Sequence, residues 1–449
     1  MSAKVLGPTT FWSEQSAESA LKELIKSTKV EYEMPGDPQA LDSFRAACLL
    51  AFYGFHQYPG QGAWMRISLL TRKAYHCGLH QIDSVDELSM FDPKSMGHDE
   101  IEDWRQVWWC IYCLDSYSNF STGTPYMVEL ESLNTSLPKL SAASPWNRSL
   151  GQPHPVFLPT DLGRLWETTQ SIVKNGGEYN FSIHLVATTI LKKAVGIRLL
   201  QKQNPSPYLQ HRLSVLEDHL SAIRLSLPPK FLNEARNVTS NETSAGYNNR
   251  LVSLLKFHAA RLLIYLPTDM QSNEGEWRSR WQQNFECCSN LVSIFRQWDT
   301  SSLFAVDPAV CFMAFATLLL LHLHSLYHWD LGQQFRDQVA RHKGLVKLFL
   351  GQFANFWRLP QFLLVCFDRI TESMSTPLVP EQIDKLLGRF QSPLHPKVLS
   401  SLNLSQSQYG SLETKPAPSI ESLAADPLDI LVGMGHAPEL NGWMGFEKL

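Results

Sequence analysis

Residues 97–138 read GHDEIEDWRQVWWCIYCLDSYSNFSTGTPYMVELESLNTSLP, and their pattern decides the fold. The stretch opens on acids, Asp99, Glu100, Glu102 and Asp103, which suit the positive end of a helix. Trp104, Val107, Trp108, Ile111, Tyr112 and Leu114 follow at steps of three and four, the spacing of one helix face. Trp109, Cys110 and Cys113 widen that face until the helix is nearly apolar all round, which predicts burial inside a large core. Asp115 stands inside this apolar run, where a carboxylate must find donors or change its pKa. Gly123-Thr124-Pro125 then breaks the chain, and an extended piece runs to Leu137-Pro138.

Working outward, the same helical period recurs and no long alternating run appears. Leu41, Phe44, Cys48, Leu49, Phe52 and Phe55 form one face. A second helix is predicted from Gln61 to His76, capped by Gly78. Beyond Asp161, helices are predicted at Asp161 to Val173, Phe181 to Leu200, Tyr208 to Leu225, Tyr247 to Leu266 and Trp277 to Trp298. Three more follow at Asp307 to Trp329, Phe335 to Trp357 and Gln361 to Met374. The fold class is therefore all-α, a large single multi-helix domain followed by a disordered C-terminal tail. Its divisions are a peripheral segment at 1–37, the helical domain at 38–375, a flexible linker at 376–420 and an acidic-hydrophobic tail at 421–449. One short helix is expected in the linker, around Glu381 to Phe390.

Composition narrows the function. Of 449 residues, 44% are hydrophobic and 18% charged, below the usual quarter or so. The formal net charge is −4 and no long basic cluster occurs, so the chain lacks the footprint of a domain that binds DNA by itself. The N-terminus carries no apolar core of a secretion signal, and eight cysteines fit a reducing compartment. The apolar run Val310 to Leu321 is too short to span a bilayer and reads as a buried helix, with no membrane role.

At the central stretch the chain resembles a known family. The order Glu102, Arg105, Trp108, Trp109, Leu114, Asp115, Gly123, Pro125, Leu137 and Pro138 resembles the middle homology region of fungal zinc-cluster transcription factors, the fungal-specific transcription factor domain. Upstream, Ala63-Trp64, Arg72-Lys73-Ala74 and Gly78-Leu79-His80 are similar to that family's preceding helix. A weaker likeness runs from Phe257-His258 to Leu266-Pro267. Trp104, Ser116 and Thr124 stand where the family usually has arginines. No six-cysteine, basic DNA-binding head is visible in the sequence. The resemblance implies a nuclear transcription regulator of a metabolic gene set, with a secondary-metabolite cluster as a setting. Arg105, Trp108, Trp109, Asp115, Gly123 and Pro125 would fix the geometry of its regulatory domain. DNA contact would be indirect, through a partner protein or a missing head, and a homo- or heterodimer is a further expectation.

Other motifs were weighed on their chemistry. Cys110-x-x-Cys113 has no second ligand pair and sits in an apolar helix, which favours packing over zinc. The acidic clusters at Asp83 to Glu87 and Asp99 to Asp103 superficially resemble the metal motif of all-α isoprenoid enzymes, but no second metal triad follows. His324 and His328 have a zinc-like spacing without the accompanying glutamate. Leu213, Leu216, Leu220, Ile223 and Leu227 follow a coiled-coil seam over two heptads only, which favours a bundle helix over a dimer. His258 and Arg261, polar residues in the apolar run Leu251 to Leu266, are candidates for a small-molecule effector pocket or for a structural ion pair, with Asp115 as one partner. The tail alternates Asp426, Leu428, Asp429, Ile430 and Leu431 with Trp443 and Phe446 further on, a pattern of activation segments that contact the transcription machinery. No catalytic residue, metal or cofactor is assigned. Two alternatives stand beside the regulator: an isoprenoid-type enzyme, and a headless inhibitor that pairs with a complete relative.

Overall fold

The structure, a computed structural model, describes residues 41–390 apart from 58, 85–95, 139–153, 177–178, 205, 238–241, 268–273, 299–306, 328–331, 373 and 375–376. The segment expected to be peripheral, most of the expected linker and the whole candidate activation tail lie outside the described residues. The described residues form thirteen α-helices and no strand; the one β-bridge joins Tyr327 to Leu378.

The helices follow one another along the chain. α1 (Leu41–Gln57), α2 (Gln61–His76) and α3 (His98–Thr122) pack on each other at the start of the chain. Next come α4 (Leu165–Asn175), α5 (Asn180–Gln203), α6 (Pro207–Ser226), the single turn α7 (Pro229–Leu232) and α8 (Ser244–Ile264). α5 lies along α8 over the most extensive interface, and both touch α6. α9 (Glu274–Arg296), α10 (Pro308–Leu326), α11 (Gly332–Ala354) and α12 (Arg358–Glu372) continue the stack, and α12 packs back on α1. α13 (Pro380–Phe390) ends the described chain.

Local chemistry places many of the ends. Ser206 accepts a hydrogen bond from Tyr208 N with Pro207 opening α6, and Thr243 accepts one from Gly246 N at the start of α8. Asp307 accepts from Ala309 N at 2.8 Å, with Pro308 in the first turn of α10. Gly123 ends α3 at φ 74°, the left-handed conformation in which only glycine avoids a Cβ clash.

One apolar core runs through the body. Trp108 and Trp109 are fully enclosed. Burial of each ring contributes on the order of 4–6 kcal/mol gross, at 150–250 Å² per ring and about 25 cal/mol per Å². α3 is not apolar all round, however: Cys110 faces outward while Cys113 is buried, so a strip of this helix meets solvent. All eight cysteines are free. α10 is long and apolar enough to cross a membrane, yet 78% of its most apolar window is buried inside the body, as befits a central core helix. The leucine seam of α6 is buried within the chain against neighbouring helices and is not open to a second copy.

α13 was expected inside a flexible linker, but it is docked. Ile383 and Leu386 are buried, Leu378 N donates to Leu326 O at 2.9 Å, and Trp277 Nε1 donates to Asp384 at 3.2 Å. Its amphipathic period presents Ile383, Leu386 and Leu387 to the body, which explains the difference.

Candidate functional site

The resemblance motif resolves into two anchor points on α3. At its first turns, Arg105 lies buried with its guanidinium on both oxygens of Asp83 and on Glu102 Oε2 at 3.0 Å. Burial works against the Asp83 charge, but Arg105 and the Ser136 N–H more than offset it and hold the carboxyl below its usual range. Trp109 Nε1 donates to Ser136 O at 2.8 Å, so Arg105 and Trp109 together tie the segment before residue 138 to α3. Trp108 sits edge-on to Tyr75.

Near the end of α3, Asp115 is 1% exposed. Its carboxylate accepts from Asn119 Nδ2 at 2.7 Å, Met127 N at 3.3 Å and Val128 N at 3.2 Å. Lys192 Nζ of α5 stands 4.0 Å away, donates to Val128 O, and lies over the rings of Tyr112 and Tyr126. Burial raises the Asp115 pKa, and burial pushes Lys192 down to about 8. Lys192 is thus the cation beside the buried Asp115 carboxylate. Gly123 makes the turn that brings Met127 and Val128 onto Asp115, and Pro125 follows on the surface.

His258 and Arg261 lie on α8 and make separate contacts. Arg261 pairs with Glu217 of α6 at 2.6 Å rather than with Asp115. His258 Nδ1 has no hydrogen-bond partner among the described residues, and burial, with the charges of Arg224 and Arg261, pushes the imidazole down to about 3. Neither side chain reaches the cavity described below.

Sequence reading missed a wholly enclosed charged group. Lys256 of α8 is wholly buried. Its ammonium meets Asp307 Oδ2 at 2.8 Å, Thr188 Oγ1 at 2.8 Å, His184 Nε2 at 2.9 Å and Tyr117 OH at 3.2 Å. Tyr117 OH also donates to Asp307 Oδ2 at 2.6 Å. The cluster joins α3, α5, α8 and the first turn of α10. Burial opposes the Asp307 charge, yet Lys256 and the surrounding donors hold its carboxyl below the usual range. Burial and the Lys256 charge push His184 down to about 3, so it is a neutral acceptor here. Two signals were present in the sequence, a lone lysine in Leu254-Leu255-Lys256-Phe257 and an aspartate before Pro308.

Beyond the cluster lies an apolar cavity of about 110 Å³. Ser121, Leu191, Leu262, Phe312 and Phe315 line it, and Leu387 of α13 forms one wall. On α3, α5, α8 and α10 the cavity residues come after the cluster residues in sequence, so the four segments run in the same sense from cluster to cavity. At the far end, buried Arg198 donates to the carbonyls of Leu263, Ile264 and Leu266, satisfying the last turn of α8. Burial, with Arg280 nearby, pushes Arg198 down to about 9.

The acidic clusters are committed elsewhere. Asp83 and Glu102 hold Arg105, and Asp103 pairs with Arg45 at 2.6 Å. Asp86 and Glu87 lie outside the described residues. His322 pairs with Lys343, His324 stacks on the Trp281 ring at 3.8 Å between centroids, and His328 lies outside the described residues. Among the described residues no group of three or more His, Cys, Asp or Glu is gathered to hold a metal.

These features define an all-helical domain that uses several buried charged groups to tie its own helices together. Residues 8–196 match the fungal specific transcription factor domain, a family of transcription-factor domains. The match spans Arg105, the tryptophan pair, Asp115, His184 and Lys192, but ends before Lys256 and Asp307. No curated protein and no solved structure matches the chain.

Proposed function

We propose that the protein acts in the nucleus to regulate a fungal metabolic gene set, with a secondary-metabolite cluster as the setting. The match of residues 8–196 to the transcription factor domain carries this reading. The body is a rigid regulatory module, and residues 421–449 supply the contact with the transcription machinery through Asp426, Leu428, Asp429, Ile430, Leu431, Trp443 and Phe446. With a formal net charge of −4, the chain reaches DNA through a partner protein or a zinc-cluster head. A small molecule bound in the body would set the output.

The test fuses the chain to a foreign DNA-binding domain and reads a reporter. Three fusions are compared: the full chain, the chain ending at Pro418, and residues 419–449 alone. Output from the full chain and from 419–449, lost on truncation, supports the activator. Silence from all three fusions, with expression verified, overturns it.

A further inference from the structure

We infer that the cavity behind Leu387 binds a small hydrocarbon-like molecule of about one aromatic ring, and that its occupancy latches α13 onto the body. The inference deepens the regulatory reading above, on which it rests, by naming the ligand class and the element that responds.

The size and lining set the ligand class. The lining is apolar except for Ser121, whose hydroxyl already donates to Ser118 O at 2.8 Å. Such walls offer water few partners, so an apolar occupant is favoured over water in this space of about 110 Å³. Apolar cavities of about 150 Å³ accept benzene, which brackets the occupant at about a single ring. A charged or strongly polar ligand is disfavoured, since the ammonium of Lys256 and the guanidinium of Arg198 are already held by partners within the protein.

The walls differ in how firmly they are held. α3, α5, α8 and α10 are pinned before the cavity by the Lys256–Asp307 cluster, and Arg198 pins the end of α8 to α5. α13 contributes Leu387 from outside this frame, and the Trp277–Asp384 hydrogen bond and the Leu378–Leu326 bridge are among the contacts that tie it to the body. A ligand against Leu387 therefore loses contacts whenever α13 lifts. That differential affinity is what shifts a two-state element. Residues 391–449, with the proposed activation segment, follow directly, so the latch decides where the tail begins.

Benzene is the probe, added to the full purified chain, and backbone amide exchange is followed by mass spectrometry. At about ten times its dissociation constant, exchange across residues 381–387 slows about tenfold while α1 and α2 are unchanged. Ala316→Leu, which fills the space, slows the same amides without benzene and abolishes the benzene effect. Leu387→Ala, which leaves the bundle intact, keeps benzene binding but removes the protection of α13. Failure of benzene to bind up to its aqueous limit, or binding that leaves residues 381–387 unprotected, overturns the inference. A missing benzene effect beside a working reporter sinks the latch alone, whereas a silent reporter beside a protected α13 sinks the regulatory reading alone.

Discussion

The buried charges decide how single residues behave. Asp115 satisfies two backbone N–H groups, the Asn119 amide and the charge of Lys192. Asp115→Ala leaves all four without their acceptor, and a loss of about 3 kcal/mol is expected in denaturant unfolding. Lys192→Met should cost less, because its ammonium edges toward solvent and the backbone donors stay paired with Asp115. Equal losses from the two variants would show that the N–H groups contribute little. Lys256→Met leaves the Asp307 carboxylate enclosed without its cation, for an expected loss of about 3–5 kcal/mol. The double variant Lys256→Met with Asp307→Asn should recover part of that loss, and a double variant no better than the single would refute the charge argument. Lys256 was overlooked in the sequence because an isolated lysine in an apolar helix is ordinarily a snorkelling surface residue. Nothing local announces an aspartate 51 positions later as its partner.

Elements were the most legible level. The period of apolar residues predicted a helix from Gln61 to His76, which is α2, and put the later helices close to their observed places. What periodicity could not supply was the pairing of faces. Arg261 was read against Asp115, yet α6 and not α3 lies beside it. α13 was read as part of a linker because the composition around it is polar, although three of its side chains face the body. The α3 terminus shows local chemistry acting at a distance. Gly123 in the left-handed region sends the chain back so that residues 127 and 128 reach Asp115. Gly123→Ala is expected to cost about 1–2 kcal/mol and Gly123→Asn less, since asparagine tolerates this conformation. Thermal unfolding of the three forms should rank them glycine, asparagine, alanine, and any other order would remove the conformational explanation.

For the whole molecule, the inward-turned titratable groups predict acid sensitivity. His184 and His324 are buried with their pKa values pushed down to about 3, while an unfolded histidine titrates near 6.5. Between those values the unfolded chain holds more protons, so stability rises with pH and falls on acidification. Each histidine contributes up to about 1.4 kcal/mol per pH unit through that window. Asp307 adds a lower window: held below its usual range, it stabilises above the unfolded carboxylate pKa near 3.9 and loses this as pH falls through its folded value. With a stability of at least about 5 kcal/mol, and about 2.8 kcal/mol lost per pH unit by the two histidines together, unfolding by acid is expected at about pH 4.7 or below. Denaturant midpoints measured from pH 7 down to 4 check this, and a flat profile above pH 5 would contradict it. The all-helical class and the regulatory family were readable because patterning and an ordered motif are properties of one stretch. The cavity was not, because its walls come from five separate helices.

The flat contact between Trp281 and His324 gives this core an optical handle. An imidazolium pressed on an indole quenches its emission, whereas a neutral imidazole leaves it brighter. Since burial keeps His324 neutral in the native body, Trp281 should glow until acid opens the core and then dim as the imidazole takes a proton. With thirteen tryptophans in the chain, the difference in emission between the native protein and a Trp281→Phe variant isolates this signal, without any added dye.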